Sequence, residues 1–402
     1  MRDLPQGERP LDGLLVVDFS QFLSGPLAGL KLADLGARVI KIERPGTGDL
    51  CRTLYLSDTD LDGDSSLFHA INRNKESFAA DLRDERDVAR LRALIARADV
   101  LIQNFRPGVI ERRGFGPDEM RVLNPGLVYG SITGFGTEGP WRDLPGQDLL
   151  AQARSGLLWL TGNRDDPPMP MGLAVADMLA GNALVQGILA ALVARGVSGR
   201  GRLVETSLLE VLLDFQFEVL TTHLNDGGRP PARQKEGGAH AYLGAPYGVY
   251  ETADGHIAIA MTPSLARLGE LLGIEDRLAP LLDAPDAGMT RRDEIRPIFA
   301  ARLRERPTAD WMAILQPEDI WCAEVLDWPA LMASGAFDAL NMCQTIARDG
   351  LSLKALRGPL RLDGAVLAAP RAAPRLGAQT RAITREFALD GERAGAESGN
   401  AP

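Results

Sequence analysis

Cysteine and histidine are scarce in this chain of 402 residues. Its three cysteines, Cys51, Cys322 and Cys343, are too few and too scattered for a disulfide scaffold or a zinc site. The four histidines share no metal-ligand spacing, so we expect no metal; they are His69, His223, His240 and His256. Such cysteine usage fits a reducing compartment, and we expect a cytoplasmic protein.

The sequence also lacks an excess of positive charge and a long uninterrupted hydrophobic run. Its formal net charge is −10, which argues against a nucleic acid partner. The first ten residues, MRDLPQGERP, are polar and do not resemble a signal peptide. The apolar run after Asp177 is short for a membrane span and contains Gly181, Asn182 and Gln186. We therefore interpret it as a core helix and expect no membrane partner.

The composition, 45% hydrophobic and 24% charged, is that of a globular protein with more than one domain. Basic residues are frequent in the first third of the chain despite the net negative charge. A locally positive cleft on an acidic protein suits a phosphorylated small molecule. The basic residues are Lys31, Arg38, Lys41, Arg44 and Arg52.

The stretch 167–194 holds one charged residue, Asp177, among 28. A carboxylate among Met, Leu, Val and Ala is costly to desolvate unless something binds or uses it. The residues that follow predict a helix, with Asp177 in or just before its first turn. Two interpretations stay open: a helix N-cap, or a carboxylate presented to a cleft as a covalent nucleophile. Pro168, Pro170 and Gly172, just upstream, favour the second.

Short apolar runs alternate with helical patterns in the first half of the chain, and their connections are short. This is typical of βαβ units, so we expect an α/β fold with a parallel sheet, whose ligands bind beyond the carboxyl ends of the strands. The predicted strands are 14–17, 38–42, 100–102, 127–132 and 203–206, and the predicted helices are 26–35, 87–98 and 208–220.

The pattern changes in the second half of the chain. Residues 225–238 are rich in Gly, Pro, Arg and Gln, which is typical of a linker. Residues 247–251 and 256–261 flank the tetrapeptide TADG, which predicts a β-hairpin. Helical segments follow to about residue 315. We interpret this part as a second, smaller α+β unit.

Several segments resemble the class III CoA-transferases, the CaiB/BaiF family, in the family's order and over nearly the whole chain. They are LDGLLVVDFSQFLSGPLAGLKLADLGARVIKIERPGTGD near the start, NKESFAADLR, NFRPGVIERRGFG, the segment from Gly172 to Asp177, GRGRLVETSLLE, APYGVYETADGHIAIA, VLDWPAL and, near the end, PRLG. Several of these are specific at this length and argue against chance similarity.

This resemblance implies a fold and an assembly. The family has a large Rossmann-like domain, with a parallel sheet built from both chain termini, and a small α+β domain inserted between them. We expect residues 1–224 to form the first part of the large domain and 225–326 the small domain with its linkers. Residues 327–402 would return to the large domain. Two subunits are expected to thread through each other as an interlocked homodimer.

The resemblance also implies an activity. Family enzymes move CoA from an acyl-CoA to a carboxylic acid, and Asp177 falls on the position of their nucleophilic aspartate. The carboxylate would attack the thioester to give a mixed anhydride and then an aspartyl-CoA thioester. A nucleophile fixed near a helix start makes the attack effectively intramolecular. The substrates implied are an acyl-CoA, with coenzyme A as the carried group, and a small organic acid.

CoA contacts are carried over from the family position by position. Arginines among them suit the diphosphate and 3′-phosphate of CoA, although any one could merely be solvated. Asn104 and Phe105 could equally cap and pack the end of a strand, and the neighbouring Asp148 could be a second polar group near Asp177 or structural. The implied contacts are Leu23, Ser24, Arg44, Ala80, Asp81, Leu82, Arg83, Asn104, Phe105, Arg106, Arg112, Leu144, Pro145, Gly146 and Gln147.

Two departures from the family pattern bear on the reaction. The formyl-CoA transferases carry a glycine-rich loop where 260–273 here reads AMTPSLARLGELLG, so formate and oxalate become doubtful substrates. The acyl-CoA racemases have a His where this chain has Gln147, and an amide cannot carry a proton in acid–base catalysis. A racemase is therefore our second choice, and an intramolecular CoA transfer stays open. A CoA-binding protein without catalysis is disfavoured because Asp177 is present.

Overall fold

The computed structural model describes residues 8–262, 264–368 and 371–390. The chain divides into two compact units, which we describe separately. The first comprises Met1–Ala151, Ala174–Leu212 and Leu340–Pro402, and the second comprises Gln152–Leu173 and Leu213–Ala339. The predicted domain boundaries after residues 224 and 326 stay a prediction.

Strands and helices alternate along the first half of the chain, and helices predominate in the second. The strands are β1 (Leu15–Asp18), β2 (Arg38–Glu43), β3 (Glu76–Ala79), β4 (Val100–Gln103), β5 (Val128–Thr133), β6 (Leu203–Ser207), β7 (Gly248–Glu251), β8 (His256–Ile259), β9 (Cys322–Glu324), β10 (Cys343–Arg348) and β11 (Leu351–Leu356), with two-residue ladders at Asp60–Leu61 with Asp64–Ser65 and at Arg361–Leu362 with Ala365–Val366. The helices are α1 (Ser24–Asp34), α2 (Ser66–Asn72), α3 (Glu85–Ile95), α4 (Pro117–Leu123), α5 (Asp148–Arg154), α6 (Val175–Ser198), α7 (Leu208–Phe215), α8 (Phe217–Asn225), α9 (Leu265–Leu272), α10 (Glu275–Leu278), α11 (Ala287–Thr290), α12 (Arg292–Leu303), α13 (Thr308–Leu315), α14 (Trp328–Ala333), α15 (Ala336–Leu340) and α16 (Thr380–Glu386).

A six-stranded parallel sheet forms the centre of the first unit, in the order β3-β2-β1-β4-β5-β6. Its inner strands are buried along their length, as strands covered on both faces are. Val17 of β1 lies beside Ile40 of β2 and Leu101 of β4. The strand order reverses between β1 and β4, and the crevice at their carboxyl ends is where doubly wound sheets bind ligands.

The five predicted strands of this sheet are confirmed to within one residue at each end. Sequence reasoning missed β3, since this four-residue strand begins with Glu76 and Ser77 and has no long apolar run. The predicted helix 208–220 was wrong as one element, because the chain breaks at Gln216 into α7 and α8.

The expectation that both chain termini build the parallel sheet was wrong for the described residues. All six strands lie between Leu15 and Ser207. The C-terminal segment instead closes the edge at β3, where the Ser77 N–H donates to Gln379 Oε1 and the Ala79 N–H donates to Thr380 Oγ1, both at 2.9 Å. These side chains accept the N–H groups that another strand would otherwise have paired.

The second unit contains a three-stranded antiparallel sheet, in the order β9-β8-β7, and the helices α9 to α13. The predicted hairpin is present as β7 and β8. Ile257, Phe299 and Trp311 are fully buried in its core. The predicted linker 225–238 is a packed segment rather than a free one, since the buried Arg233 guanidinium donates to the Thr161 carbonyl at 2.7 Å.

The helix α6 has 24 residues and one buried face. Ala180, Leu184 and Ile188 are buried on that face, which packs against α1 and the strands β5 and β6. Val193 and Val197, at its far end, are 76% and 93% exposed. By length and composition the helix could cross a membrane, so the expectation that it is too short was wrong. Its packed face still fits a core helix.

Candidate functional site

Asp177 is the third residue of α6, in the first turn of the helix. It is not the N-cap, which is Ala174 and makes no side-chain cap. The capping role belongs to Asp148, the first residue of α5, whose Oδ1 accepts the Ala176 N–H at 2.7 Å and the Asp177 N–H at 3.3 Å. The N-cap interpretation of Asp177 is therefore wrong.

The surroundings of Asp177 raise the pKa of its carboxyl from 3.8 to about 6. Burial is the largest cause, and the negative charge of Asp148 adds to it. A hydrogen bond from Ser24, at the start of α1, lowers the pKa and opposes both. At neutral pH the group is thus an ionised carboxylate that is poorly solvated, which is a chemically reactive state.

A glycine-rich loop brings Asp148 to the start of α6. It leaves β5 at Gly134 and returns at Gly146, and these glycines touch so closely that a Cβ on either would overlap the other's Cα. Within the loop, the rings of Phe135 and Trp141 pack edge to face at 6.0 Å between centroids. Asp148 follows two residues after this glycine contact, so the contact fixes where its carboxylate lies.

A cavity of about 230 Å³ lies at the carboxyl ends of β1, β2, β3 and β4. Six of the predicted CoA contacts line it: Arg44, Ala80, Asp81, Leu82, Arg83 and Phe105. Arg113 also lines it, and sequence reasoning missed this residue in favour of Arg112. The remaining lining residues are Phe19, Gln21, Ile42, Glu43, Val109 and Ile110.

The other predicted contacts lie outside this lining. Ser24 lies beside Asp177, since it lowers the pKa of that carboxyl, and Asn104 Nδ2 donates to Ser24 Oγ at 3.3 Å. Leu23 packs beside the small buried cluster around Phe68. The remaining predicted contacts, all exposed, are Arg106, Arg112, Leu144, Pro145, Gly146 and Gln147.

Among the described residues, no group of three or more His, Cys, Asp or Glu side chains could hold a metal ion. The expectation of a metal-free enzyme stays a prediction. The arrangement at hand is instead a carboxylate with a raised pKa at a helix start, and an arginine-lined cavity within the same unit. The first can attack an electrophilic carbon, and the second suits the phosphates of a bound ligand.

Comparison with known proteins identifies the family. A model of CoA-transferase family III matches residues 11–380. Succinate–glutarate CoA-transferase from Agrobacterium fabrum is 33% identical over 402 aligned residues, which cover 96% of this chain and 98% of that protein. Acetyl-CoA:oxalate CoA-transferase from Acetobacter aceti is 34% identical over 395 residues, which cover 96% and 97%.

Solved structures agree with the sequence relatives. The crystal structure of a CaiB/BaiF family protein from Brucella suis matches this chain with a TM-score of 0.81 and 32% identity. The match covers 94% of this chain and 99% of that one. The family inferred from the sequence segments is confirmed: the chain belongs to CoA-transferase family III, and it is a CoA-transferase.

Proposed function

We propose that the protein is an acyl-CoA:carboxylate CoA-transferase in which Asp177 is the nucleophile. The Asp177 carboxylate attacks the thioester carbonyl of an acyl-CoA, the carbon–sulfur bond breaks, and CoA thiolate leaves a mixed anhydride on Asp177. The thiolate then attacks the aspartyl carbonyl and releases the first acid as a carboxylate. The acceptor acid repeats these two steps in reverse, so acceptor-CoA leaves and Asp177 is regenerated.

The state of the Asp177 carboxylate carries this proposal. A carboxylate that caps a helix accepts N–H hydrogen bonds, which stabilise its charge and weaken it as a nucleophile. Here Asp148 accepts those N–H groups instead. Burial and the charge of Asp148 then raise the pKa of Asp177 to about 6, high enough for nucleophilic strength and low enough for ionisation at neutral pH.

CoA is assigned to the arginine-lined cavity. Arg44, Arg83 and Arg113 bring three guanidinium groups to the carboxyl ends of neighbouring strands. Guanidinium groups bind phosphate oxygens in a bidentate manner, and CoA carries a diphosphate and a 3′-phosphate. Phe105 and Ile110 give the same cavity apolar surface against which a base can pack.

The test is a search for the covalent intermediate. Wild-type protein incubated with acyl-CoA is digested and examined by mass spectrometry for CoA or an acyl group on the peptide that contains Asp177. We expect the adduct in wild type and not in Asp177→Asn, with transfer lost by several orders of magnitude. Asp84→Asn is the matched control, because Asp84 caps the helix α3 and is not among the residues that line the cavity. An adduct retained in Asp177→Asn would refute the assignment.

The acids are proposed to be small organic acids. The relatives named above act, by their names, on succinate and glutarate in one case and on acetyl-CoA and oxalate in the other. Their similarity to this chain is almost equal, so the oxalate relative weighs against our expectation that oxalate is a poor substrate. That expectation is tested by supplying oxalate, succinate and glutarate in parallel as acceptors of CoA.

The assembly is proposed to be the interlocked homodimer implied by the family. Apolar side chains that a monomer would leave in water support it. Val197 is 93% exposed on α6, Leu224 is 72% exposed on α8, and Trp328 is 79% exposed on α14. A partner chain wound around this one would cover side chains of this kind.

A further inference from the structure

The connection between β1 and α1, residues 19–23, is fixed by hydrogen bonds along its backbone. The Phe19 N–H donates to the Ile102 carbonyl at 2.8 Å. The Gln21 N–H donates to Asn104 Oδ1 at 2.9 Å, and Asn104 Nδ2 donates back to the Gln21 carbonyl at 2.7 Å. These bonds tie the connection to the end of β4, across the point where the strand order reverses.

Phe22 lies in this connection with a φ of 63°, in the left-handed region that non-glycine residues rarely adopt. Phe22 is 47% exposed, so burial of this residue does not hold the backbone there. The Phe22 N–H instead donates to Asp49 Oδ1 at 3.1 Å. An unfavourable backbone conformation is therefore supported by one carboxylate from the loop after β2.

Asp49 is in turn held by a buried charge. It is 2% exposed, and its Oδ2 lies 2.8 Å from Nζ of Lys41, which is fully buried. The same ammonium donates to the Ser20 carbonyl at 2.7 Å. The single ion pair thus fixes two points of the connection, the Ser20 carbonyl and the Phe22 N–H.

The connection leads directly into Ser24, which contacts the nucleophile. The Ser24 hydroxyl lies close enough to the Asp177 carboxylate to lower its pKa. The helix α6 also comes close to it, since a Cβ on Gly181, one turn after Asp177, would lie 2.7 Å from the Ser24 carbonyl oxygen. Because Ser24 is two residues from Phe22, a change in the Phe22 backbone displaces the hydroxyl that contacts Asp177.

We propose that Asp49 is a positioning residue for transfer, acting through the backbone of Phe22 on the contact between Ser24 and Asp177. The proposal rests on the proposed role of Asp177 as nucleophile. The buried pair of Asp49 and Lys41 holds the connection in its working shape before the substrate binds. The reaction then needs no rearrangement of the groups around the carboxylate.

The test compares Asp49→Ala with Asp34→Ala. Asp34 forms a similar buried ion pair, with Arg73 at 2.8 Å, but at the far end of α1. The thermal midpoints of both variants are measured alongside, to show that each folds. Asp49→Ala should lower kcat roughly 10- to 100-fold while KM for acyl-CoA changes less than about threefold. Asp34→Ala should keep kcat within about threefold of wild type.

The dependence of kcat on pH distinguishes a positioning role of Asp49 from a merely structural one, which would leave that dependence unchanged. The groups that set the charge of Asp177 are Asp148, which disfavours ionisation, and Ser24, which favours it. In Asp49→Ala, loss of the Ser24 contact should raise the pKa of Asp177. The acid limb of the profile, where kcat falls at low pH, should then move to higher pH by roughly half a unit or more. The Asp34→Ala profile should match that of wild type.

A double-mutant cycle with Phe22→Gly tests whether Asp49 acts through the backbone of Phe22. Glycine adopts the left-handed conformation without support, so adding Asp49→Ala to Phe22→Gly should cost less than about threefold in kcat. Equal losses in both backgrounds, or an unmoved acid limb, would overturn the proposal. If Asp49→Ala does not fold, Asp49→Asn enters the same cycle under the same criteria. Failure of the proposed function looks different, because Asp177→Asn would then retain transfer.

Discussion

Replacing Asp177 by Asn should stabilise the native protein, and the gain should depend on pH. The carboxyl has a pKa of about 6 in the folded chain against its ordinary 3.8. The folded state therefore binds the proton more tightly than the unfolded state does. Ionisation then destabilises the fold, progressively as the pH rises from 3.8 to about 6 and fully above that. Asparagine has nearly the same shape and cannot ionise, so it removes this cost.

The size of the effect follows from the two pKa values. One pKa unit corresponds to about 1.4 kcal/mol, so the ionised carboxylate costs the folded state up to about 3 kcal/mol at pH 8. The cost falls to about 1.5 kcal/mol at pH 5, where the folded group is largely protonated. For a unit of this size, about 3 kcal/mol corresponds to a rise in thermal midpoint of roughly 6–12 °C.

The assay is thermal unfolding of wild type, Asp177→Asn and Asp84→Asn by circular dichroism at pH 8 and pH 5. Asp84 caps α3, accepting the N–H groups of Arg86 and Asp87 at 3.0 Å. Asparagine caps a helix about as well as aspartate, so the amide variant should lose only the attraction between the charge and the helix dipole, up to about 1 kcal/mol. Substitution by Asn should thus raise the thermal midpoint at Asp177 and lower it at Asp84, although both aspartates lie at helix starts. An Asp177→Asn protein that is less stable at pH 8, or equally stabilised at both pH values, would refute the reasoning.

The remaining predictions concern activity and assembly. kcat should fall below about pH 6, because protonation of Asp177 removes the nucleophile. Asp148→Asn should shift this fall in kcat to lower pH, since the charge of Asp148 raises the pKa of Asp177. A pH profile that Asp148→Asn leaves unchanged would contradict that coupling. Arg113→Ala should raise KM for acyl-CoA roughly tenfold or more with little change in kcat. Arg112→Ala should leave KM for acyl-CoA unchanged, because Arg112 does not line the cavity. Equal effects of the two variants on KM would argue against the assigned cavity. Sedimentation at nanomolar concentration should show a dimer, and a folded monomer would refute the interlocked assembly. In D₂O with a branched acyl-CoA and no acceptor acid, we expect no enzyme-dependent deuterium uptake at the α-carbon, because Gln147 cannot carry a proton. Rapid deuterium uptake that is lost in Asp177→Asn would favour the racemase.

The central sheet could be predicted because its strands are short apolar runs separated by helices. β1, β4 and β5 are buried on both faces, which forces their sequences to be apolar. β3 escaped prediction since an edge strand can carry Glu76 and Ser77. Its outer N–H groups are satisfied by Gln379 and Thr380, about 300 residues later. No local sequence pattern predicts a hydrogen-bond partner so distant in the chain.

The unusual surroundings of Asp177 could be predicted from the sequence, and its assignment as the nucleophile stays a prediction. An isolated charge in an apolar stretch is visible in a sequence, because the cost of burying it demands a reason. Which of Arg112 and Arg113 lines the cavity is decided by the short 3₁₀ turn Glu111–Arg113, and two adjacent arginines look alike in the sequence. The strained backbone of Phe22 has no sequence signal at all, since glycine is the residue expected at such a φ.

The two carboxylates at the start of α6 divide tasks that one aspartate could not perform together. A helix start offers free N–H groups that bind and stabilise an anion. Had Asp177 accepted them, its pKa would have fallen and its oxygens would have been engaged. Asp148 accepts them instead, held in place by the contact of Gly134 with Gly146. The cap thus stabilises the helix, and its charge makes Asp177 more basic.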